Sequence, residues 1–163
     1  MGGVDLHAAW FSTLGAPLGE GEAADIDAYL AGLGLAAALP PLVVAGWGQA
    51  GEIIRNAAGA WWAAEEAERA RLEHGARLDP ADPQWLALTD TLHGAAAVAA
   101  ARGGGADPGL IRAAAGAATY AAHQYRLARA AGERDTHPFM RKYALFSGGR
   151  WPLGLYGDRF AIF

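Results

Sequence analysis

The sequence predicts a mainly α, α+β fold: one bundle of about five helices with a short C-terminal three-stranded antiparallel β-meander packed on it. Three observations predict it. Apolar residues recur at three-and-four spacing through much of residues 1 to 132. Asp-Pro dipeptides at 79–80, 82–83 and 107–108 supply helix-start chemistry, because Asp accepts the orphan amides of a first turn and Pro has no amide to lose. Beyond Gly132 the apolar period shortens to two, and glycine pairs of the hairpin type interrupt it.

Taken in order, Asp5 can cap a short first helix with Leu6, Trp10 and Leu14 on one stripe, stopped by Gly15 and Pro17. A second helix spans residues 22 to 39, with Ile26, Tyr29, Leu30, Leu33 and Ala37 on its buried face, and Pro40-Pro41 ends it. Residues 41 to 48 begin a weaker helix, opposed by Gly46 and Gly48. Residues 49 to 72 read as one helix carrying Ile53, Ile54, Trp61, Trp62, Glu65 and Leu72, with Glu65 able to pair with Arg69 one turn on. Adjacent helical residues lie about 100° apart, so one of Trp61 and Trp62 faces inward and the other partly outward. Two Ala-rich helices follow, over residues 83 to 101 and 108 to 131. Strands at "YALFS", "RWPLGLY" and "RFAIF", turning at 148–149 and 157–158, put Phe146, Trp151, Leu153, Leu155, Phe160 and Ile162 on an inner face. Tyr143, Arg150, Tyr156 and Arg159 fall on the outer one, and Pro152 calls for a bulge. Residues 1–132 and 140–163 then share one core, in one domain of 163 residues.

The 53% hydrophobic content against 18% charged excludes disorder. The chain has no cysteine, which excludes disulfides, a thiolate nucleophile and Cys-ligated metal. The longest apolar run, residues 33 to 48, is too short for a membrane span and is broken by two prolines. With no secretion-type N-terminal segment, a cytoplasmic protein without membrane association is expected. Net charge is −4, unevenly laid out: residues 1 to 90 hold thirteen acids against four arginines, whereas residues 126 to 163 hold six arginines and one lysine against three acids. No basic face covers the whole chain, so nucleic acid is not an expected partner.

Candidate chemistry is sparse. The closing glycines lack the Lys-Ser/Thr of a phosphate loop. Asp90 and His93 stand three apart on one helix, and an antiparallel partner turning near residue 79 would bring Glu65 to the same level, making Glu65, Asp90 and His93 the metal candidates. A hydrogen-bonded polar patch is the plainer reading of that set. His123, beside Thr119 and Tyr120, is a candidate acid or base together with His93 and Glu65, although no nucleophile stands at a fixed spacing from it. Arg150, Tyr156, Arg159, Tyr143 and Trp62 form the interaction set, since guanidiniums beside phenols suit carboxylate or phosphate and aromatics anchor interfaces. The leading expectation is an interaction module that binds a protein partner through a charged surface, an immunity-type or regulatory protein facing a basic partner, with no cofactor. A small enzyme or ligand-binding protein with a cleft between the sheet and the helices is the alternative, and a homo-oligomer using the aromatic edges, such as a homodimer, is the third reading.

Overall fold

The computed structural model describes residues 3–163. Among them six helices and three strands follow one another: α1 (Glu20–Gly32), β1 (Leu42–Val43), α2 (Trp47–Asn56), α3 (Gly59–Gly75), α4 (Pro83–Arg102), α5 (Pro108–Ala130), α6 (Pro138–Ser147), β2 (Pro152–Tyr156) and β3 (Arg159–Ile162). The architecture is mostly helical with a small sheet, as the sequence predicts, but with six helices among the described residues rather than about five. The sheet is mixed rather than antiparallel, with order β1-β3-β2 and β1 parallel to β3.

The Asp-Pro starts form as local chemistry dictates. Asp82 accepts the Gln84 amide at 3.0 Å to open α4, and Asp107 accepts the Gly109 amide at 2.7 Å to open α5. The buried Ala100, Ala114, Ala115 and Ala118 let the two helices lie closely side by side. His137-Pro138 uses the same device with a different acceptor, Nδ1 taking the Phe139 amide at 3.1 Å. That start makes "YALFS" the end of helix α6 rather than a first strand, which removes the hairpin expected to turn at 148–149.

Four further expectations are corrected. The second predicted helix, α1, ends at Gly32 rather than at residue 39, with Gly34 at φ +70° just beyond it, so Leu33 and Ala37 lie outside the helix and are only half-buried. Residues 5 to 15 form turns, not a helix: Phe11 sits at φ 55°, which a right-handed helix excludes, and this lets Trp10 and Phe11 both be buried. After Pro41 comes the short strand β1 rather than a first helical turn, and the helix starts only at Trp47, since Pro40-Pro41 favour extended backbone and β3 offers an edge; the Val44 amide donates to the Ile162 carbonyl at 2.8 Å. The helix expected over residues 49 to 72 is broken at Ala57 and Ala58, both extended, where the Ala58 amide donates to the Leu155 carbonyl at 2.8 Å.

The closing hairpin keeps its predicted turn. Tyr156 pairs with Arg159 and Leu155 with Phe160, across Gly157 at φ +60°. The bulge expected at Pro152 is present, the register shifting between Pro152 and Gly154. Gly154 has φ +106°, and a Cβ there would stand 2.5 Å from the Trp61 ring, so β2 and α3 meet at a point where only glycine fits. Trp151 and Phe163 exchange backbone hydrogen bonds at 2.7 and 2.9 Å beyond the strand ends. Trp151, Leu153, Leu155, Phe160 and Ile162 are all buried, and so is Phe146 from α6.

Arg150 is the largest departure from the sequence reading. Expected on an outer sheet face, it is 2% exposed. All five of its N–H groups find acceptors: Nε and Nη2 grip Glu22 at 2.7 and 3.0 Å, and the remaining three reach the carbonyls of Thr13 (3.0 Å), Ala16 and Pro17 (2.7 Å). The clamp ties the N-terminal turns and the start of α1 to the α6–β2 junction. The guanidinium beside Glu22 holds its carboxyl below the usual carboxylate range, against the opposing effect of burial.

Removing residues 150–163 takes away this clamp and the sheet face together, so the truncated chain is expected to aggregate or to lose a cooperative melting transition in calorimetry. A transition as sharp and as high as that of the full chain would contradict this assignment. A carboxylate whose folded pKa is depressed stabilises the fold above its unfolded pKa of about 4.3 and loses that contribution as pH falls through the folded value. Stability measured by urea denaturation is therefore expected to fall more steeply below about pH 4.5 in the native chain than in Glu22→Gln, whose stability is already lower at pH 7. Equal acid slopes for the two proteins would remove Glu22 from that account.

Candidate functional site

The buried polar residues of the helices converge on one point. Glu65 of α3 is fully buried, as are Gln124 of α5 and, nearly so, Lys142 of α6. Lys142 Nζ donates to both Glu65 oxygens at 2.6 and 2.9 Å and to Gln124 Oε1 at 3.0 Å, which uses its three N–H groups. Gln124 Nε2 donates to Glu65 Oε2 at 3.2 Å. The Tyr29 hydroxyl of α1 donates to Glu65 Oε1 and accepts from Trp61 Nε1 at 2.6 Å. Burial lowers the Lys142 pKa while the adjacent Glu65 carboxylate opposes that, and burial with the same carboxylate pushes the Tyr29 phenol well up. In this cluster both Glu65 oxygens and all three Lys142 N–H groups are engaged.

Lys142 also reaches the wall of a recess. Trp61 and Trp62 of α3, Gly116, Ala117 and Tyr120 of α5, Phe146 of α6 and Pro152 of β2 complete the wall around a volume of about 240 Å³. The ammonium stands 5.5 Å from the Trp61 ring centre and 5.6 Å from that of Tyr120. Trp62, 51% exposed, stacks on Tyr120 with centroids 5.9 Å apart and planes at 30°. Tyr120 is held in turn by its hydroxyl on Glu66, which Arg69 grips at 3.0 Å. The recess lies where the first strand of the hairpin meets three helices.

The other sequence candidates fall elsewhere. Glu65, Asp90 and His93 do not converge: α3 has α5, not α4, as its main helical neighbour, Asp90 is exposed and His93 is half-buried on α4. Glu65 bonds to Lys142, and Arg69 pairs with Glu66 and Glu73 instead. Among the described residues no three His, Cys, Asp or Glu side chains are grouped to hold a metal ion. His123 lies over Trp85, centroids 5.9 Å apart, in a separate cleft of about 340 Å³ beside Glu73, Asp79 and Arg126. Burial lowers its pKa.

Of the interaction set, Tyr143 belongs to α6 and is buried, its hydroxyl accepting the Asp5 amide at 2.9 Å and its ring stacked on Tyr125 at 4.3 Å. Arg159 donates to the carbonyls of Pro40 (2.8 Å) and Pro41 (3.1 Å). Tyr156, 41% exposed, and Trp62 remain on the surface. Sequence reasoning missed Lys142, Gln124, Tyr29 and Tyr120. For Lys142 a signal existed: it is the only lysine of the chain, and apart from Arg141 its neighbours from Pro138 to Phe146 carry no charge.

Among the described residues no helix is long and apolar enough to cross a membrane. No protein-family model matches the sequence, and comparisons with curated proteins and with solved structures find no similar chain.

Breaking a buried ion pair from one side leaves an uncompensated charge and typically costs about 3–5 kcal/mol, whereas replacing both partners by apolar groups is often close to neutral. Lys142→Met and Glu65→Leu are each expected to lower unfolding stability by about that much, and the double variant to recover most of it. Additive losses in a double-mutant cycle would show that the pair is not the coupled unit described.

Proposed function

We propose that the chain is a small ligand-binding protein whose site is the aromatic recess between α3, α5, α6 and β2. The observation that carries this reading is the placement of Lys142. Its ammonium lines the recess, yet every N–H on it is spent within the protein, and the Tyr120 hydroxyl is likewise spent on Glu66, so the wall offers no free acid, base or nucleophile. Such a site suits binding rather than turnover. Preorganised aromatic walls lower the ordering cost of binding.

A protein partner is the second reading, and Trp62 favours it: an exposed tryptophan held in place by Tyr120 is the usual form of an interface anchor. A partner recognised through charge alone has less support. Acids of the N-terminal portion meet bases of the C-terminal portion within the molecule, as Glu22–Arg150, Asp25–Arg141 and Glu65–Lys142.

The test is a mixed library of neutral, anionic and cationic compounds, aromatic and aliphatic, read by amide and indole NMR shifts of the full chain. Saturable shifts at Trp61, Trp62, Gly116, Ala117 and Tyr120 are expected for at least one class. A library that moves none of these signals would overturn the ligand-binding reading.

A further inference from the structure

We infer that the ligand of this recess is a neutral, flat aromatic compound of one or two rings, and that the missing side chain of Gly116 is what admits it. The inference rests on the ligand-binding reading and goes on to name the ligand class and the residue that sets its size.

Charge decides first. The polar side-chain groups in the wall are those of Trp61, Tyr120, Lys142 and Trp62. Trp61 Nε1 donates to Tyr29, the Tyr120 hydroxyl to Glu66, and Lys142 to Glu65 and Gln124. An anionic ligand therefore finds no free cation to meet, and removing Lys142 from Glu65 to serve it would strand a buried carboxylate. A cationic ligand meets the ammonium of Lys142, already seated against Trp61 and Tyr120. Trp62 Nε1, at the rim, leaves one donor for a ligand acceptor.

Shape decides next. Four of the eight lining residues, Trp61, Trp62, Tyr120 and Phe146, are flat aromatic rings, and Pro152 adds a further apolar surface. The volume of about 240 Å³ lies below that of sites for drug-sized ligands, roughly 300–1,000 Å³. One ring or a fused pair is the matching size.

Gly116 supplies an independent observation. It lies inside α5, where glycine weakens a helix relative to alanine. Its φ is not positive, and a Cβ placed on it would meet no atom within 4 Å. Gly51 of α2 differs, since a Cβ there would stand 3.1 Å from Leu110, whereas Gly94 of α4 is equally unobstructed, so it is the place of Gly116 in the recess wall that sets it apart. Neither backbone conformation nor a close neighbour requires glycine at 116; what lies beside it is the recess.

The experiment titrates indole, tryptamine and indole-3-acetate into the full chain, into Gly116→Ala and into Gly116→Leu, followed by NMR shifts and by melting temperature. Indole is expected to bind saturably in the millimolar range with shifts at residues 61, 62, 116 and 117, and each charged probe at least about fivefold more weakly. Gly116→Leu is expected to weaken indole by about tenfold or more, and Gly116→Ala by a smaller factor, without lowering the melting temperature of either. If Gly116→Leu does not fold, the alanine variant carries the comparison. Indole affinity unchanged in the folded variants, or a charged probe binding more tightly than indole, overturns the inference. Library compounds that fill the recess but are charged or aliphatic would overturn it while leaving the ligand-binding reading intact; no compound at the recess would overturn both.

Discussion

Four helices meet at the Glu65 carboxylate. Tyr29 arrives from α1, Gln124 from α5 and Lys142 from α6, while Glu65 itself and Trp61 come from α3. A buried carboxylate is tolerable only if it is paired and its lone pairs are filled, and here both oxygens accept from the ammonium and from a second donor each. That requirement sets the relative position of the four helices more sharply than alanine-rich surfaces can, since alanine faces pack closely but slide with little penalty. It also places Trp61, through its indole N–H, against Gly154 and so sets where the hairpin docks.

The Arg150 clamp does for the N-terminal turns what Lys142 does for the helices. Each lone cation draws in acids or carbonyls from far along the chain, Arg150 from residues 13 to 22 and Lys142 from residue 65. The uneven layout of charge, acidic early and basic late, is thereby used within the molecule. A charge imbalance along a sequence does not by itself imply a charged partner, because folding can bring its two ends into register. The recess is a by-product of the same geometry: the node fixes Trp61 and Lys142, the charged stripe of α3 fixes Tyr120 through Glu66, and Gly116 leaves the space between them open.

Little of the site could be read from the sequence, and the reason is physical. That one of Trp61 and Trp62 faces outward was legible, because helical geometry forces that split, and Trp62 already stood in the interaction set. Glu65 was singled out, but for a metal set with Asp90 and His93 that assumed α3 and α4 to be antiparallel neighbours. Lys142 looked like one more base in a basic tail. Its partners lie 77 and 18 residues away, and no local spacing reports such distances. Tyr143 and Arg150 were assigned an outward face by alternation in twos, yet Tyr143 is helical and β2 is buried at four of its five positions, so alternation carried no information there.

By itself the sequence determined the features whose causes are local: the Asp-capped starts of α4 and α5 with proline at the first turn, the Gly157 turn of the hairpin, the bulge at Pro152, and the buried apolar side chains of the hairpin. Caps, turns and bulges depend on atoms within four residues, so their energetics are written in order along the chain. Only the tertiary structure decided the break at Ala57 and Ala58, the parallel edge strand at Leu42–Val43, and the burial of Arg150 and Lys142. Most of these satisfy a buried donor, acceptor or charge with a partner far away in sequence, and that demand exists only once the chain has closed around it.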